Sequence, residues 1–302
     1  MLPSSYHQEM EIAMRTKRKD WGAFGFLLPA TIIYLSVIVI PVFYSFYISL
    51  FRWNGISKMK WVGLGNYITL FTSDPIFHIS IRNNLIWIVL TLFLTMSVAL
   101  LLAVLLNKQF HGRTFFRGFY YFPSVIAPIA VSIIWRWMYE PNFGFINQFA
   151  QTMGIDLFQT WLSNPKTSLY AIFAANLWAV VGQTMILFLA GLQTVSVDAL
   201  EAATIDGAGA VKRFIHITIP YMRETFIIVF ATLIIAGMKV FDIVMGLTAG
   251  GPNNSTEMLS TYMYSQSFRY NNVGMGTTVA AIMVLIMLFI IVPYISFTAK
   301  EH

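Results

Sequence analysis

Cysteine is absent from this chain of 302 residues, and charged residues are scarce. Without cysteine the chain can form neither disulfide bonds nor thiolate metal sites. Asp, Glu, Lys and Arg together make up only 11% of the residues, whereas a soluble domain carries about 25%. The five histidines are scattered and show no paired ligand spacing. These absences exclude a disulfide-stabilised domain and argue against a metal site and a water-soluble fold.

Sequence signatures of catalysis and nucleotide binding are missing as well. No G-x-x-x-x-G-K-[ST] phosphate-binding loop occurs, and no complete G-x-G-x-x-G motif. The nearest glycine clusters, at residues 63–65, 207–209 and 274–278, each hold only part of such a motif. We therefore expect the chain to perform no covalent chemistry and to have no catalytic residue, metal or cofactor of its own.

What the chain has instead is apolar sequence, with 57% hydrophobic residues and a mean hydropathy of +0.68. Crossing a hydrocarbon core about 30 Å thick takes roughly 20 apolar residues in a helix. Six runs are long enough, at 22–50, 83–106, 115–138, 168–193, 224–247 and 274–298. None alternates like a barrel strand. We therefore predict an all-α membrane protein with six transmembrane helices.

The first run marks the start of one membrane domain. It is about twice as long as the apolar region of a signal peptide and has no small-residue cleavage site, so we expect it to be retained. The sequence thus divides into a tail at 1–20 and a transmembrane domain at 21–302. The tail is either solvated coil or a short amphipathic helix on the membrane surface.

The chain has a net charge of +6, and nearly all of its basic residues lie near the ends of the apolar runs or in the connections between them. Eleven Lys and Arg lie before the first run, in the second and fourth connections and after the last run, against seven in the other connections. Because basic residues concentrate on the cytoplasmic side, we predict that both termini and the loop at 198–220 are cytoplasmic. We attribute the net positive charge to this orientation in the membrane and to contact with anionic lipid, and we expect no nucleic-acid partner.

That cytoplasmic loop has internal structure that helix propensity explains. Asp198 is a good N-cap residue, and Glu201 completes a pair like a capping box. Gly207 suits a helix end in the left-handed region. A second helical segment at 210–219 is predicted to stop at Pro220. The result is a helix, a turn and a second helix, which would be either a docking site for a cytosolic partner or an amphipathic connector.

The fourth run carries polar side chains within the membrane, where such residues are functional candidates by default. Asn176, Ala179, Val180 and Gln183 recur at the spacing of one helix face. The two amides either line a pathway or bridge neighbouring helices.

The fifth run holds a second group of candidates, Gly237, Lys239 and Asp242. In a continuous helix Lys239 and Asp242 would stand three residues apart and could pair, which lowers the cost of burying either charge. Gly237 leaves space beside them. The pair is either part of a pathway or a structural ion pair.

Parts of the chain resemble a known family. Glu201-Ala202-Ala203, Asp206-Gly207-Ala208 and Ile217-x-Ile219-Pro220 resemble the EAA signature of permease subunits from binding-protein-dependent ABC importers. That family usually has Leu in place of Ile219. Further motifs similar to the maltose-type sugar branch occur in the same order: G-L-G-N-Y at 63–67, Pro123 and Pro128, L-A-G-L-Q at 189–193 and L-T-A-G-G-P at 247–252. The resemblance spans about residues 20–300.

The resemblance implies a type I ABC importer permease fold and a way to power transport. In the family, the EAA loop seats in a cleft on a cytosolic ATPase dimer that binds ATP and Mg. Glu201, Ala202, Ala203, Asp206 and Gly207 would face or shape that cleft. Ile217 and Pro220 would set where the chain re-enters the membrane.

The resemblance also implies partners and a substrate class. The face formed by Asn176, Ala179, Val180 and Gln183 would line a sugar site, and the stretch around Lys239 would lie beside it. The expected partners are a second permease subunit in a heterodimer, the ATPase dimer, an extracellular solute-binding protein and membrane lipid, in a bacterial cell membrane. Another small polar solute, such as a glycerol-phosphate compound, is the alternative substrate.

Two other classes of protein fit the sequence less well. A secondary transporter or channel predicts inverted repeats or broken helices in both halves, and the sequence shows no such pairing. A membrane-embedded enzyme would need a cluster of titratable residues at one depth, and Lys239 with Asp242 is the one candidate pair.

Overall fold

The computed structural model describes residues 25–155 and 159–299. These residues are mostly helical, and their strands are one short antiparallel pair, β1 (Phe51–Arg52) and β2 (Lys60–Trp61). The all-α prediction is confirmed. The predicted tail at 1–20 lies outside the described residues.

The helices follow one another with short connections. In chain order they are α1 (Gly25–Ser49), α2 (Gly65–Ser73), α3 (Pro75–Asn107), α4 (Arg113–Val125), α5 (Pro128–Met138), α6 (Phe145–Thr152), α7 (Ser168–Leu192), α8 (Val197–Ile205), α9 (Ala210–Tyr221), α10 (Arg223–Met238), α11 (Asp242–Leu247), α12 (Leu259–Tyr264) and α13 (Val273–Ala299). Wider π turns interrupt α1, α3 and α9 and follow α12, at Leu35–Val39, Thr91–Thr95, Phe214–Thr218 and Ser265–Arg269.

Membrane-spanning helices come in two forms. Among the described residues, α1, α3, α7 and α13 are long and apolar enough to cross a membrane as continuous helices. Two further spans are bent pairs: α4 and α5 meet at 101°, and α9 and α10 at 72°. The prediction of six spans is met when each bent pair counts as one. The expectation of a single helix over 115–138 is therefore wrong, and so is that over 224–247, because the helix that begins at Arg223 ends at Met238 and a new one begins at Asp242.

The first break separates α4 from α5 and has a local cause. Ile126 and Ala127 are extended, with ψ of 133° and 136°. The ring of Pro128 disfavours a helical conformation in the residue before it. Pro128 then occupies the first position of α5, where its missing N–H costs nothing.

The second break is not the bend between α9 and α10. It separates α10 from α11 at residues 239–241, and side chains from other segments of the chain hold it. Asn84 Nδ2 donates to the Gly237 carbonyl at 3.1 Å, and the Ser260 hydroxyl donates to the Val240 carbonyl. Asn84 Oδ1 also accepts from the Leu259 N–H at 2.7 Å. In apolar surroundings the backbone groups that a break frees must find partners inside the protein. Asn84, only 2% exposed, supplies the partner of the Gly237 carbonyl and at the same time holds the first N–H of α12.

The adjacent residue holds the loop between α11 and α12. Asn83 Nδ2 donates to the carbonyls of Ser255 and Glu257, each at 2.9 Å. Positive φ occurs at Ala249, Gly250, Asn253 and Asn254, so the chain turns sharply in this loop. Burial raises the pKa of the Glu257 carboxyl above its ordinary value.

Small residues let the helices around α7 pack closely. A Cβ on Gly182 would lie 2.1 Å from the Tyr120 carbonyl oxygen, and one on Gly191 would lie 2.3 Å from Thr225 Oγ1. Ala99 and Ala103 of α3 are fully buried in the cluster that joins α3, α7 and α10. Close approach through small residues is the usual packing of membrane helices. The result is a tight bundle with α7 at its centre.

We predict that Asn84→Leu destabilises the fold. The change leaves the Gly237 carbonyl and the Leu259 N–H buried without partners, at a cost of about 1–3 kcal/mol for each group. The midpoint of thermal unfolding of the detergent-purified protein should fall. Asn107→Leu, at the exposed end of the same helix, is the control and should change the midpoint little. An equal effect of both changes would contradict the bridging role of Asn84.

Candidate functional site

Both helix breaks face one cavity of about 400 Å³ against the middle of α7. Pro123, Ser124, Ile126, Pro128 and Val131 line it from α4 and α5; Asn176, Ala179, Val180 and Gln183 from α7; and Ala236, Lys239, Val240, Phe241, Asp242 and Ile243 from α10 and α11. A cavity of this size holds a small organic molecule. Mostly apolar walls with few polar groups are typical of such a site.

The predicted pathway residues all lie at or beside this cavity. Asn176, Ala179, Val180, Gln183, Lys239 and Asp242 line it. Gly237 lies in the wall of an adjoining cavity of about 110 Å³, which shares Asn176, Val180 and Gln183 with the larger one. The structure therefore brings together residues from two runs that lie some sixty positions apart in the sequence. Their role in transport stays a prediction.

On α7 the polar face meets the first break directly. The backbone N–H of Gln183 donates to Ser124 Oγ at 3.2 Å. The Gln183 side chain is exposed, and Asn176 is half-buried. Trp178 lies on another side of α7 and packs edge-on against Trp135, with ring centroids 5.9 Å apart. Amides can donate and accept at once, so Asn176 and Gln183 suit a solute rich in hydroxyl groups.

The predicted ion pair between Lys239 and Asp242 is not formed. The helix that would have placed them on one face ends at Met238 and starts again at Asp242. No hydrogen bond or ion pair joins the two residues in the structure, and both side chains are exposed at the cavity. The spacing argument fails because it assumed a continuous helix. Each charge is instead open to the cavity.

A second candidate site is the loop that follows α7. Its first helix, α8, is capped by Ser196, whose Oγ accepts from the Ala199 N–H at 3.2 Å. The expected N-cap at Asp198 is therefore wrong by two residues. Asp198 lies in the first turn of α8 instead, where a carboxylate interacts favourably with the helix dipole.

The end of α8 confirms the predicted glycine turn. Gly207 has a φ of +74°, a conformation that costs a residue with a side chain energy. The N–H of Ala208 donates to the Ala203 carbonyl at 2.9 Å, and that of Gly207 to Thr204 at 3.1 Å. This bonding pattern is a Schellman motif. The Arg213 guanidinium donates to the Thr204 hydroxyl and so ties the two helices of the loop together.

The second helix of the loop runs further than predicted. α9 passes through Pro220 and ends at Tyr221, and the chain bends at Met222. Its π turn at Phe214–Thr218 closes with the Ile219 N–H bonded to the Phe214 carbonyl. A wider turn just before Pro220 accommodates the proline ring, which would clash in a regular α-helix.

The loop presents small, acidic and apolar side chains outward. Glu201, Ala202, Asp206 and Gly207 are exposed, and Ala203 is half-buried. Ile205 and Val211 are 87% and 73% exposed. Ile217 points the other way and packs against the cluster that joins α3, α7 and α10.

Sequence reasoning missed the residues that hold the second break. Asn83 and Asn84 open a predicted apolar run, and Ser260 lies in a segment that had been given no role. Two adjacent amides at the head of an apolar run were a usable signal, because buried polar groups need partners. Ser124 lies at the end of α4, just before the first break, and follows Pro123, which the sequence marks only as part of a family motif.

These features define a multi-pass α-helical membrane permease with a cavity at two helix breaks and an exposed loop beside it. The chain belongs to the family described as binding-protein-dependent transport system inner membrane component, whose model matches residues 95–299. It is therefore a permease subunit of a transport system.

Curated relatives match almost end to end. A "probable ABC transporter permease protein" of Pyrococcus horikoshii is 34% identical over 91% of this chain and 94% of its own length. The "multiple sugar-binding transport system permease protein" MsmF of Streptococcus mutans is 31% identical over 93% of this chain and 96% of its own.

Solved structures share the fold. The crystal structure of a bacterial ABC transporter involved in the import of the acidic polysaccharide alginate matches with a TM-score of 0.79 at 21% identity, over 95% of this chain and 98% of the other. The structure of the bacterial alginate ABC transporter in complex with an alginate pentasaccharide-bound periplasmic protein matches with the same TM-score and identity, over 93% of this chain and 94% of the other. The type I ABC permease fold is thereby established.

We predict that the cavity is open to water-soluble reagents at Gln183. Because the chain has no cysteine, a single Gln183→Cys change reports on that position alone. It should react much faster with a charged thiosulfonate reagent than Ala175→Cys, which lies on the same helix but is fully buried. Labelling is measured by mass spectrometry, and equal rates at the two positions would contradict an open cavity.

Proposed function

We propose that the chain is the membrane-spanning subunit of an ATP-driven importer and forms half of the pathway for a sugar or oligosaccharide. The observation that carries this proposal is the cavity of about 400 Å³, where the polar face of α7 meets both helix breaks. Non-helical backbone within a membrane domain is tolerated where it lines a cavity. A solute would bind there between polar groups of three separate segments.

A sugar fits the chemistry of this cavity. Its hydroxyl groups donate and accept hydrogen bonds, as do the amides of Asn176 and Gln183. Apolar lining from residues such as Ile126 and Val180 suits the C–H faces of a sugar ring. The description of MsmF and the alginate transporters with the same fold support this substrate class.

ATP hydrolysis would take place on a separate ATPase dimer, which would bind ATP and Mg. The exposed surface of α8 and its turn, with Glu201, Asp206 and the apolar Ile205, is suited to a cleft on such a partner. Ala202, Ala203 and Gly207 would allow close approach because their side chains are small or absent. Ile217 and Pro220 would fix where the chain returns to the membrane.

The remaining partners would bind at opposite ends of α7. Its first residue, Ser168, lies 3.1 Å from Ser255 in the loop after α11, measured between the hydroxyl oxygens. Its last residue leads into the ATPase-coupling loop. A solute-binding protein would therefore dock near Ser255 on the outer side, with both termini in the cytoplasm. A second permease subunit would complete the pathway in a bacterial cell membrane.

The coupling role predicts different effects at two nearby glycines. Gly207 has a φ of +74°, whereas Gly209 has a φ of −64°, and an added Cβ would meet nothing at either position. Gly207→Ser should strain the turn and weaken co-purification of the ATPase and ATP-driven uptake by roughly fivefold or more. Both are measured on the complex assembled with its partner chains.

The matched control is Gly209→Ser, because serine is a good N-cap residue at that position. It should leave both the association and the uptake close to those of the unmodified complex. If Gly207→Ser were also silent, or if both changes were equally harmful, the loop would not act as the docking element.

A glycerol-phosphate compound or another anionic solute is the second candidate, favoured by Lys239. This exposed ammonium group faces the cavity and is not paired with Asp242. If the solute is anionic, Lys239→Met should lower the uptake of glycerol 3-phosphate by roughly tenfold, since hydrogen bonds to charged groups are the stronger ones. If the solute is neutral, Lys239→Met should change the uptake of maltose little.

The control for that comparison is Lys166→Met, an exposed lysine in the segment before α7. It removes the same charge away from the cavity and should affect neither solute. A loss of maltose uptake with Lys239→Met and not with Lys166→Met would show that Lys239 also contacts a neutral sugar.

A further inference from the structure

A smaller chamber lies behind the main cavity, between α3, α7 and α10. Its volume is about 110 Å³, and Asn176 and Gln183 belong to the walls of both spaces. The far wall is formed by Trp87 and Thr91 of α3 and by Gly237 of α10. A water molecule takes up about 30 Å³ of liquid, so the chamber has room for several heavy atoms but is small for a sugar ring.

Thr91 is the unusual group in this chamber. The residue is 3% exposed, and its hydroxyl has no hydrogen-bond partner. The other threonines of the wall are paired, since Thr184 donates to the Val180 carbonyl at 3.2 Å and Thr232 to the Ile228 carbonyl at 2.7 Å. Buried hydroxyl groups without a partner are rare and call for an explanation.

The local backbone explains why this hydroxyl is available. Thr91 begins the π turn Thr91–Thr95, which interrupts the regular helix α3. Such turns occur mostly as single bulges and are frequent at functional sites. A rotation about χ1 exchanges the hydroxyl and methyl groups of a threonine, and helical threonines populate two rotamers. The hydroxyl can therefore turn toward the chamber without any movement of the backbone.

Gly237 lets α10 approach α3 closely at the far wall of the chamber. A Cβ at this position would lie 3.3 Å from Ile88 Cγ1 and 3.5 Å from Trp87 Cδ1. The Gly237 carbonyl is at the same time held by Asn84. Asn84 of α3 thus ties α3 to α10 beside the chamber.

We propose that this chamber is a subsite that receives a hydroxyl or hydroxymethyl arm of the transported solute, with the Thr91 hydroxyl as its hydrogen-bond partner. The proposal rests on the proposed function, because it assigns part of the same solute to a second space. Asn176 and Gln183 would contact the solute where the two spaces join. A site that pairs a buried hydroxyl discriminates strongly against an analogue that lacks the matching group.

The test uses Thr91→Val, which removes the hydroxyl and keeps the shape of the side chain. In the complete transporter with its partner chains, uptake is measured for glucose, maltose, sucrose and trehalose, and for the deoxy analogues of whichever sugar is transported. Thr91→Val should raise KM for that sugar by roughly tenfold. It should leave KM unchanged for the one analogue that lacks the arm hydroxyl. Thr91→Ser, which keeps the hydroxyl, should retain the discrimination.

Thr95→Val is the matched control. Thr95 lies on the same π turn, is equally buried and also has an unpaired hydroxyl, but it does not line the chamber. It should change KM for neither the sugar nor its analogues. The thermal midpoint without solute should be kept in both valine variants, because neither change breaks a hydrogen bond.

Different failures have different meanings. If the unmodified complex transports sugar and Thr91→Val leaves KM unchanged, or raises it equally for every analogue, the subsite is wrong and the proposed function stands. An effect of Thr95→Val equal to that of Thr91→Val would also overturn the subsite. If the unmodified complex transports none of the sugars, the proposed function fails and the subsite falls with it.

Discussion

The architecture depends on how one interrupted helix satisfies its backbone inside an apolar bundle. Between α10 and α11 the chain leaves helical geometry for residues 239–241. The Asn84 side chain bonds both the Gly237 carbonyl and the Leu259 N–H, and Ser260 bonds the Val240 carbonyl. Each group left without a partner would cost about 1–3 kcal/mol. This small polar centre therefore fixes the relative positions of α3, α10 and α12.

The same constraint explains why the cavity forms where it does. The break at Ile126 and Ala127 comes from Pro128, and the break at residues 239–241 from partners elsewhere in the fold. Both interruptions face the polar side of α7, and neither could face lipid without exposing unpaired backbone. Polar side chains such as Gln183 and Lys239 therefore gather where the helices are interrupted. The smaller chamber behind these side chains shares part of its wall with the cavity.

The cavity and the loop formed by α8 and α9 both adjoin α7. Val181, Met185 and Phe188 of α7 are buried in a cluster against which Leu200 of α8 and Ile217 of α9 pack. Packed interiors resist compression and transmit displacement. In the proposed function, a movement of this loop imposed by an ATPase would reach α7 through direct contacts, within two turns of Gln183. Gly182, pressed against the Tyr120 carbonyl, would carry that movement toward the first break.

The sequence by itself determined the class of fold, the continuous membrane segments and the turn at Gly207, because apolar run length, amphipathic spacing and glycine conformation are local properties. It also identified the polar face of α7. The tertiary structure decided the rest. It separated Lys239 from Asp242, moved the cap of α8 to Ser196 and brought Asn84 to the Gly237 carbonyl across 153 positions of sequence. A helix break held by distant side chains leaves no periodic signal, because its stability comes from partners that only folding supplies.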